Sequence, residues 1–119
     1  MNIGDIIMKQ YIVDAFTNKV FAGNQAAVCI LDEWPDDKLM QSIAKENNFS
    51  ETAFVAKEGN AYHLRWFTPG GEIDFCGHAT LGTSYVILNY YEKDQQEVSF
   101  KTQVGKVTVK RKDDLYEMD

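Results

Sequence analysis

The run Phe75-Cys76-Gly77-His78-Ala79-Thr80 places a thiol and an imidazole around a glycine, where a short strand pattern gives way to an apolar, helix-compatible segment. The first amides of a helix have no partner inside it. Those of Gly77, His78, Ala79 and Thr80 are therefore expected to point outward and to favour a carboxylate or an enolate-like oxygen. Cys76 and His78 beside them are both able to move protons. A glycine turn with a capping Thr80 and a core cysteine would use the same residues, so this pattern alone leaves both readings open. Glu51 is the second candidate, set in Asn48-Phe49-Ser50-Glu51-Thr52-Ala53-Phe54 at a junction from helix to strand. Flanked by Phe49 and Phe54, its carboxylate is expected to lose part of its water, which suits a carboxyl group to general acid–base work. A solvated glutamate at a loop corner is the plainer alternative. Asp74 and His63 are expected at the solvent, Asp14 is undecided between the two roles, and Trp66 and Phe67 read as core.

The elements that must position these groups follow from periodicity. Gln10 to Phe16 and Ala26 to Leu31 read as strands, with turns at Asn18-Lys19 and Gly23-Asn24 between them. Pro35, Asp36 and Asp37 mark a helix start, and Leu39, Met40, Ile43 and Ala44 recur at helical spacing up to a stop at Asn47-Asn48. Thr52 to Lys57 and Ala61 to Thr68 form a hairpin closed through Glu58, Gly59 and Asn60. A loop at Pro69, Gly70 and Gly71 leads into a short strand, Glu72 to Phe75. His78 to Tyr91 is apolar on most of its circumference, so as a helix it must be wrapped by other elements. Glu97 to Thr102 and Lys106 to Lys112 are two more strands, joined through Gly105, and Leu115 to Asp119 reads as the opening of another. These elements make an α+β domain, a curled sheet of about seven strands around a central apolar helix at about 78–91, with a second helix outside it.

Composition narrows the partners. The 119 residues carry 12 Lys and Arg against 18 Asp and Glu, a net charge of −6 that repels phosphate backbones and anionic lipid, so neither nucleic acid nor membrane is an expected partner. The one basic cluster, Lys106 to Lys112, alternates with valines and reads as the wet face of a strand. No apolar run approaches the roughly 20 residues that span a bilayer, and no secretory signal pattern opens the chain. Two cysteines, Cys29 and Cys76, are too few for a disulfide scaffold, and a reduced cytoplasmic setting is expected. Met8-Lys9 looks like a second possible start, which makes residues 1–7 an extension and 8–119 a single domain. The histidines, cysteines and acids share no metal-ligand spacing, and there is neither a phosphate-cradling loop nor a dinucleotide fingerprint.

Several segments together resemble a known family. Val13-Asp14-Ala15-Phe16-Thr17, Phe21-Ala22-Gly23-Asn24-Gln25-Ala26-Ala27-Val28, Ser50-Glu51-Thr52-Ala53-Phe54-Val55, Leu64-Arg65-Trp66-Phe67-Thr68-Pro69 and Cys76-Gly77-His78-Ala79-Thr80-Leu81 occur in the order and spacing of the PhzF-like (phenazine biosynthesis-like) proteins. From about Met8 to Asp119 the chain resembles the N-terminal half of that family. The resemblance implies a diaminopimelate epimerase-like fold: two similar halves, each a curved sheet around a central helix, with the active site in the cleft between them. It places the family's acid–base glutamate on Glu51, its cleft histidine on His78, and the substrate-facing turn on Gly77, Ala79 and Thr80 around that histidine. Cys76 falls where the epimerase has one thiol of its cysteine pair. The implied reaction is an isomerase or epimerase type of proton shift on a small carboxylate, without a cofactor or metal. In the phenazine enzyme that substrate is a dihydro-hydroxyanthranilate. The second wall of the cleft, with the acidic residue it contributes, belongs to the half that this chain does not resemble. The chain is thus expected to supply half of a site. The alternative is an inactive fragment or assembly module that pairs with itself, a homodimer imitating the two halves.

Overall fold

The computed structural model describes residues 8–14, 25–49, 51–113 and 115–118. The turns expected at Asn18-Lys19 and Gly23-Asn24, and the extension 1–7, lie outside them. Eight strands form one mixed sheet: β1 (Met8–Asp14), β2 (Gln25–Leu31), β3 (Glu51–Glu58), β4 (Ala61–Thr68), β5 (Gly71–Ile73), β6 (Glu97–Thr102), β7 (Gly105–Lys112) and β8 (Leu115–Met118). The order is β1-β2-β3-β4-β6-β7-β8, and β5 pairs with β4 beside that path. β2–β3 and β4–β6 are parallel and the other pairs antiparallel. One edge of β4 is shared: Trp66 to Thr68 pair with β5, while Tyr62 and His63 pair with β6.

Each parallel pair needs a crossover, and a helix supplies it. α1 (Asp37–Asn47) links β2 to β3. Its ends are set by local chemistry: the Asp36 side chain accepts from the Leu39 amide at 2.8 Å, and Asn48 takes the left-handed φ of 53° that stops the helix. Pro35 thus precedes the cap instead of opening the helix. α2 (Gly77–Val86) lies in the β4–β6 crossover, on the opposite face of the sheet, and its last turn widens into a π-helical turn, Ile87–Tyr91. The expected single helix therefore changes its winding at Ile87. The Glu92 amide reaches the Ile87 carbonyl at 2.7 Å, five residues back, and the Arg111 guanidinium draws the Leu88 carbonyl at 3.0 Å.

Strand alternation sorts the core into two layers. Ala26, Val28, Ala53, Val55, Tyr62, Leu64, Trp66, Val98, Phe100 and Val109 pack on the α2 side. Cys29, Leu31, Phe54, Ala56 and Phe67 pack under α1 with Met40, Ile43 and Ala44. β2 and β3 are covered on both faces, which is why their sequences are nearly continuous apolar runs. Trp66 and Phe67 are core as expected, on opposite faces. α2 approaches β1 closely at Gly82, where a Cβ would stand 2.6 Å from Val13 Cγ2, so any side chain there would force the Val13 side chain or its strand to shift. Lys106 and Lys110 are exposed while Val107 and Val109 are buried, the wet strand face read from the alternation.

Three expectations shift in detail. The short strand after Pro69 ends at Ile73, so Asp74 and Phe75 already belong to the approach to α2. Leu115–Met118 is a full eighth strand, paired with β7. His63 is half-buried, packed at 4.9 Å from the Trp34 ring and 3.1 Å from Glu58.

Candidate active site

Glu51 opens β3, beside Ala26 of β2. Cys76 is the residue before the first turn of α2, at the end of the connection from β5. The fold brings the two together: the Cys76 thiol donates to Glu51 Oε1 across 3.1 Å. Alternation explains the direction of the carboxylate. Ala53 and Val55 share the face of Glu51 and pack on the α2 side, whereas Phe54 is buried under α1, 5.4 Å from the Phe67 ring. Phe54 is therefore not what covers Glu51, contrary to the expectation from adjacency. The half-buried carboxylate is covered instead by the start of α2.

The Cys76 thiol is pushed up to about 11. Burial is the main cause, and the hydrogen bond to Glu51 and its charge act in the same direction. The backbone amides of Ala79 and His78 pull the other way, towards the thiolate, without closing a capping hydrogen bond to the sulfur. At neutral pH the thiol thus keeps its proton and works as a donor to Glu51.

The helix start divides unevenly between function and support. The Thr80 amide bonds the Cys76 carbonyl at 3.0 Å, so the amides left without an intrahelical partner are those of Gly77, His78 and Ala79. Thr80 itself is fully buried, and its hydroxyl donates to the Cys76 carbonyl at 2.7 Å while accepting from Trp66 Nε1 at 3.0 Å. This corrects the expectation that Thr80 faces a ligand: its hydrogen-bonding groups are already engaged behind the turn. His78 is exposed on the outer side of the same turn, and Phe75, 43% exposed, flanks it with its ring 5.6 Å from Trp66. Gly77 is half-buried, and a Cβ there would meet Met118 Cε at 3.5 Å, an ordinary contact. Asp74 is exposed, as expected.

The Trp66–Thr80 contact was not singled out from the sequence. A signal for it exists, because a buried indole N–H needs an acceptor and Thr80 is a polar residue on an otherwise apolar helix. Cys29 is fully buried, bonded at 3.4 Å to Gln10 Oε1, and its thiol is pushed up to about 12 by burial.

The two thiols predict an alkaline weakness. In the unfolded chain they ionise from the ordinary 9.0, while the fold holds the protons up to about 11 for Cys76 and about 12 for Cys29. Their contribution is fully present below 9.0 and is lost as pH rises towards those values, because the unfolded chain then binds fewer protons than the folded one. The urea midpoint should be lower at about pH 10.5 than at about pH 8.5, with a smaller difference in a Cys29→Ala variant than in the parent. Equal slopes in parent and variant would contradict this.

Comparison with known proteins matches this half-barrel to epimerase-like folds. A predicted epimerase of Pseudomonas aeruginosa superposes with a TM-score of 0.75 at 25% identity, covering 92% of this chain and 42% of that one. Nearer structures are a putative phenazine biosynthesis PhzC/PhzF protein of Clostridium difficile (TM-score 0.88, 54% identity, 94% of this chain and 43% of that one) and a PhzF-family protein of Enterococcus faecalis (0.85, 51%, 93% and 42%). The family model of the phenazine biosynthesis-like proteins, PhzC-PhzF, matches residues 13–118, and the chain belongs to that family. Among curated relatives, an uncharacterized isomerase of Pseudomonas aeruginosa is 50% identical over 107 residues, covering 90% of this chain and 41% of the relative. The human phenazine biosynthesis-like domain-containing protein is 38% identical over 117 residues, covering 92% and 41%. The chain thus spans about two fifths of the length of the relatives it matches.

Proposed function

We propose that this chain supplies one wall of an isomerase active site, in which Glu51 moves a proton within a small carboxylate substrate. The amides of Gly77, His78 and Ala79 receive the oxygen on which negative charge develops, and the exposed His78 imidazole stands at the same mouth. The observation that carries this reading is the 3.1 Å contact of Glu51 with Cys76, because it sets a carboxylate able to accept a proton at the positive end of α2. Two names among the relatives point the same way, both being uncharacterized isomerases of Pseudomonas aeruginosa. A proton shift next to a carboxylate asks for a base and for donors aimed at the developing enolate oxygen, and both are chain groups here, so the reaction is proposed to run without a cofactor. Cys76 donates to Glu51 and keeps its proton; Thr80 holds the turn from behind. The opposite wall of the cleft is proposed to come from the part of the relatives that this chain does not span.

The carboxylate half of the proposal is testable on the chain itself. Titrating the ¹⁵N-labelled protein with malate or anthranilate should shift the amide resonances of Gly77, His78 and Ala79 ahead of all others. Shifts concentrated elsewhere, or none at millimolar ligand, would contradict the assignment of the helix start as the anion cradle.

A further inference from the structure

Trp66 and Thr80 are buried polar groups that the proposed chemistry does not itself use. Trp66 is 1% exposed and Thr80 is fully buried. A threonine hydroxyl has one proton and rotates freely unless something fixes it. Here the indole N–H of β4 occupies its acceptor side at 3.0 Å, which leaves the hydroxyl proton to the Cys76 carbonyl at 2.7 Å. That carbonyl also accepts the Thr80 amide at 3.0 Å, so the residue carrying the thiol is held by two bonds from one side chain and its backbone. The other end of Cys76, its sulfur, meets Glu51. A path of contacts therefore runs from the centre of the sheet to the carboxylate: Trp66 donates to Thr80, Thr80 to the Cys76 carbonyl, and, across the covalent frame of Cys76, its thiol donates to Glu51.

We propose that Trp66, acting through Thr80, is a positioning residue of this site, fixing the Cys76 backbone so that the thiol reaches Glu51 and the amides of Gly77 to Ala79 stay open. The proposal rests on the reading of Glu51 and the α2 start as the active site, and it adds the device that aligns the two. In a buried, low-dielectric setting each of these bonds is costly to leave unmade. Loss of the hydroxyl strands the indole N–H and removes one of the two bonds that hold the Cys76 carbonyl, in one step.

Stability alone does not separate positioning from ordinary core packing, so the readout is the pH dependence of Cys76 alkylation by iodoacetamide in the 119-residue chain, with the modified residue identified by mass. Loosening of the fold scales the rate alike at every pH. Displacement of the sulfur from Glu51 instead moves the midpoint of the profile, which is expected at about 11 in the parent. Thr80→Val keeps the shape without the hydroxyl, and Thr80→Ser keeps the hydroxyl. The expected result is a lower midpoint in Thr80→Val, raising the rate at about pH 9 by about tenfold relative to the plateau, and a parental midpoint in Thr80→Ser. Trp66→Phe, which retains the ring and drops the N–H, is expected to move the midpoint in the same direction and serves if Thr80→Val does not fold. Glu51→Gln is the arm that keeps the two readings apart. If Glu51→Gln lowers the midpoint while Thr80→Val and Trp66→Phe leave it parental, the positioning role is overturned and the Glu51–Cys76 pair stands. If Glu51→Gln itself leaves the midpoint unchanged, the pair is absent and both readings fall.

Discussion

Glu51→Gln is expected to lower isomerase turnover by about 10²- to 10⁴-fold, the range that a positioned acid–base group contributes, while leaving KM nearly unchanged. The substitution keeps size and polarity at the start of β3 but removes the capacity to take and return a proton. It leaves the amides of Gly77, His78 and Ala79 in place, so on the proposed reading the substrate oxygen they receive is still held in the ground state and only the base is lost. An interaction made in both states sets KM, and one made only while the proton is in flight sets kcat. The assay enzyme joins these 119 residues to the remaining length of the Clostridium difficile relative, which is 54% identical where the two overlap. A variant with raised KM and parental kcat would make Glu51 a binding residue and remove it as the base.

The second large effect concerns the opposite face of the same strand. Phe54→Ala is expected to cost about 3–5 kcal/mol, through lost transfer energy and the cavity left beside Phe67, a large share of the roughly 5–15 kcal/mol that holds a domain together. Phe54 is fully buried under α1, with Phe67 edge-on at 5.4 Å. The melting temperature should fall by about 10–20 °C. Yet the Cys76 alkylation midpoint, read at a temperature where the variant is folded, should stay at the parental value, because Phe54 faces away from Glu51. A midpoint that moved with Phe54→Ala would mean that the two faces of β3 are not independent, against the sorting by alternation.

These two neighbours on one strand show what the sequence does and does not reveal. Ends set by local chemistry were legible to within a residue: a helix start at Pro35 to Asp37, with Asp36 proving to be the cap, Asn48 as left-handed stop, and Gly59 with its φ of 65° in the β3–β4 turn. The burial of β2 was legible in its bounded apolar run, and the α+β class in the mix of periods. Glu51 and the α2 start stand out in the sequence because their residue types are chemically conspicuous and because the family motifs carry them. The side of β3 on which Phe54 lies was misread, since proximity in sequence says the reverse of what a two-residue period dictates. Thr80 was misread for a related reason. Its place in the first turn suggested an open amide, but the helix begins one residue before His78, at Gly77, which closes the Thr80 amide onto Cys76. In the π-helical turn after Val86 the Leu88 carbonyl accepts from Arg111, twenty-three residues away, and no local pattern announces such a contact.

Proton transfer at Glu51 is the central claim, and solvent exchange reads it most directly. With a small carboxylate substrate of the joined enzyme in D₂O, deuterium should enter the substrate carbon that receives the proton, in step with isomerisation, and Glu51→Gln should bring that entry down to the rate without enzyme. Undiminished deuterium entry in Glu51→Gln would show that another group moves the proton.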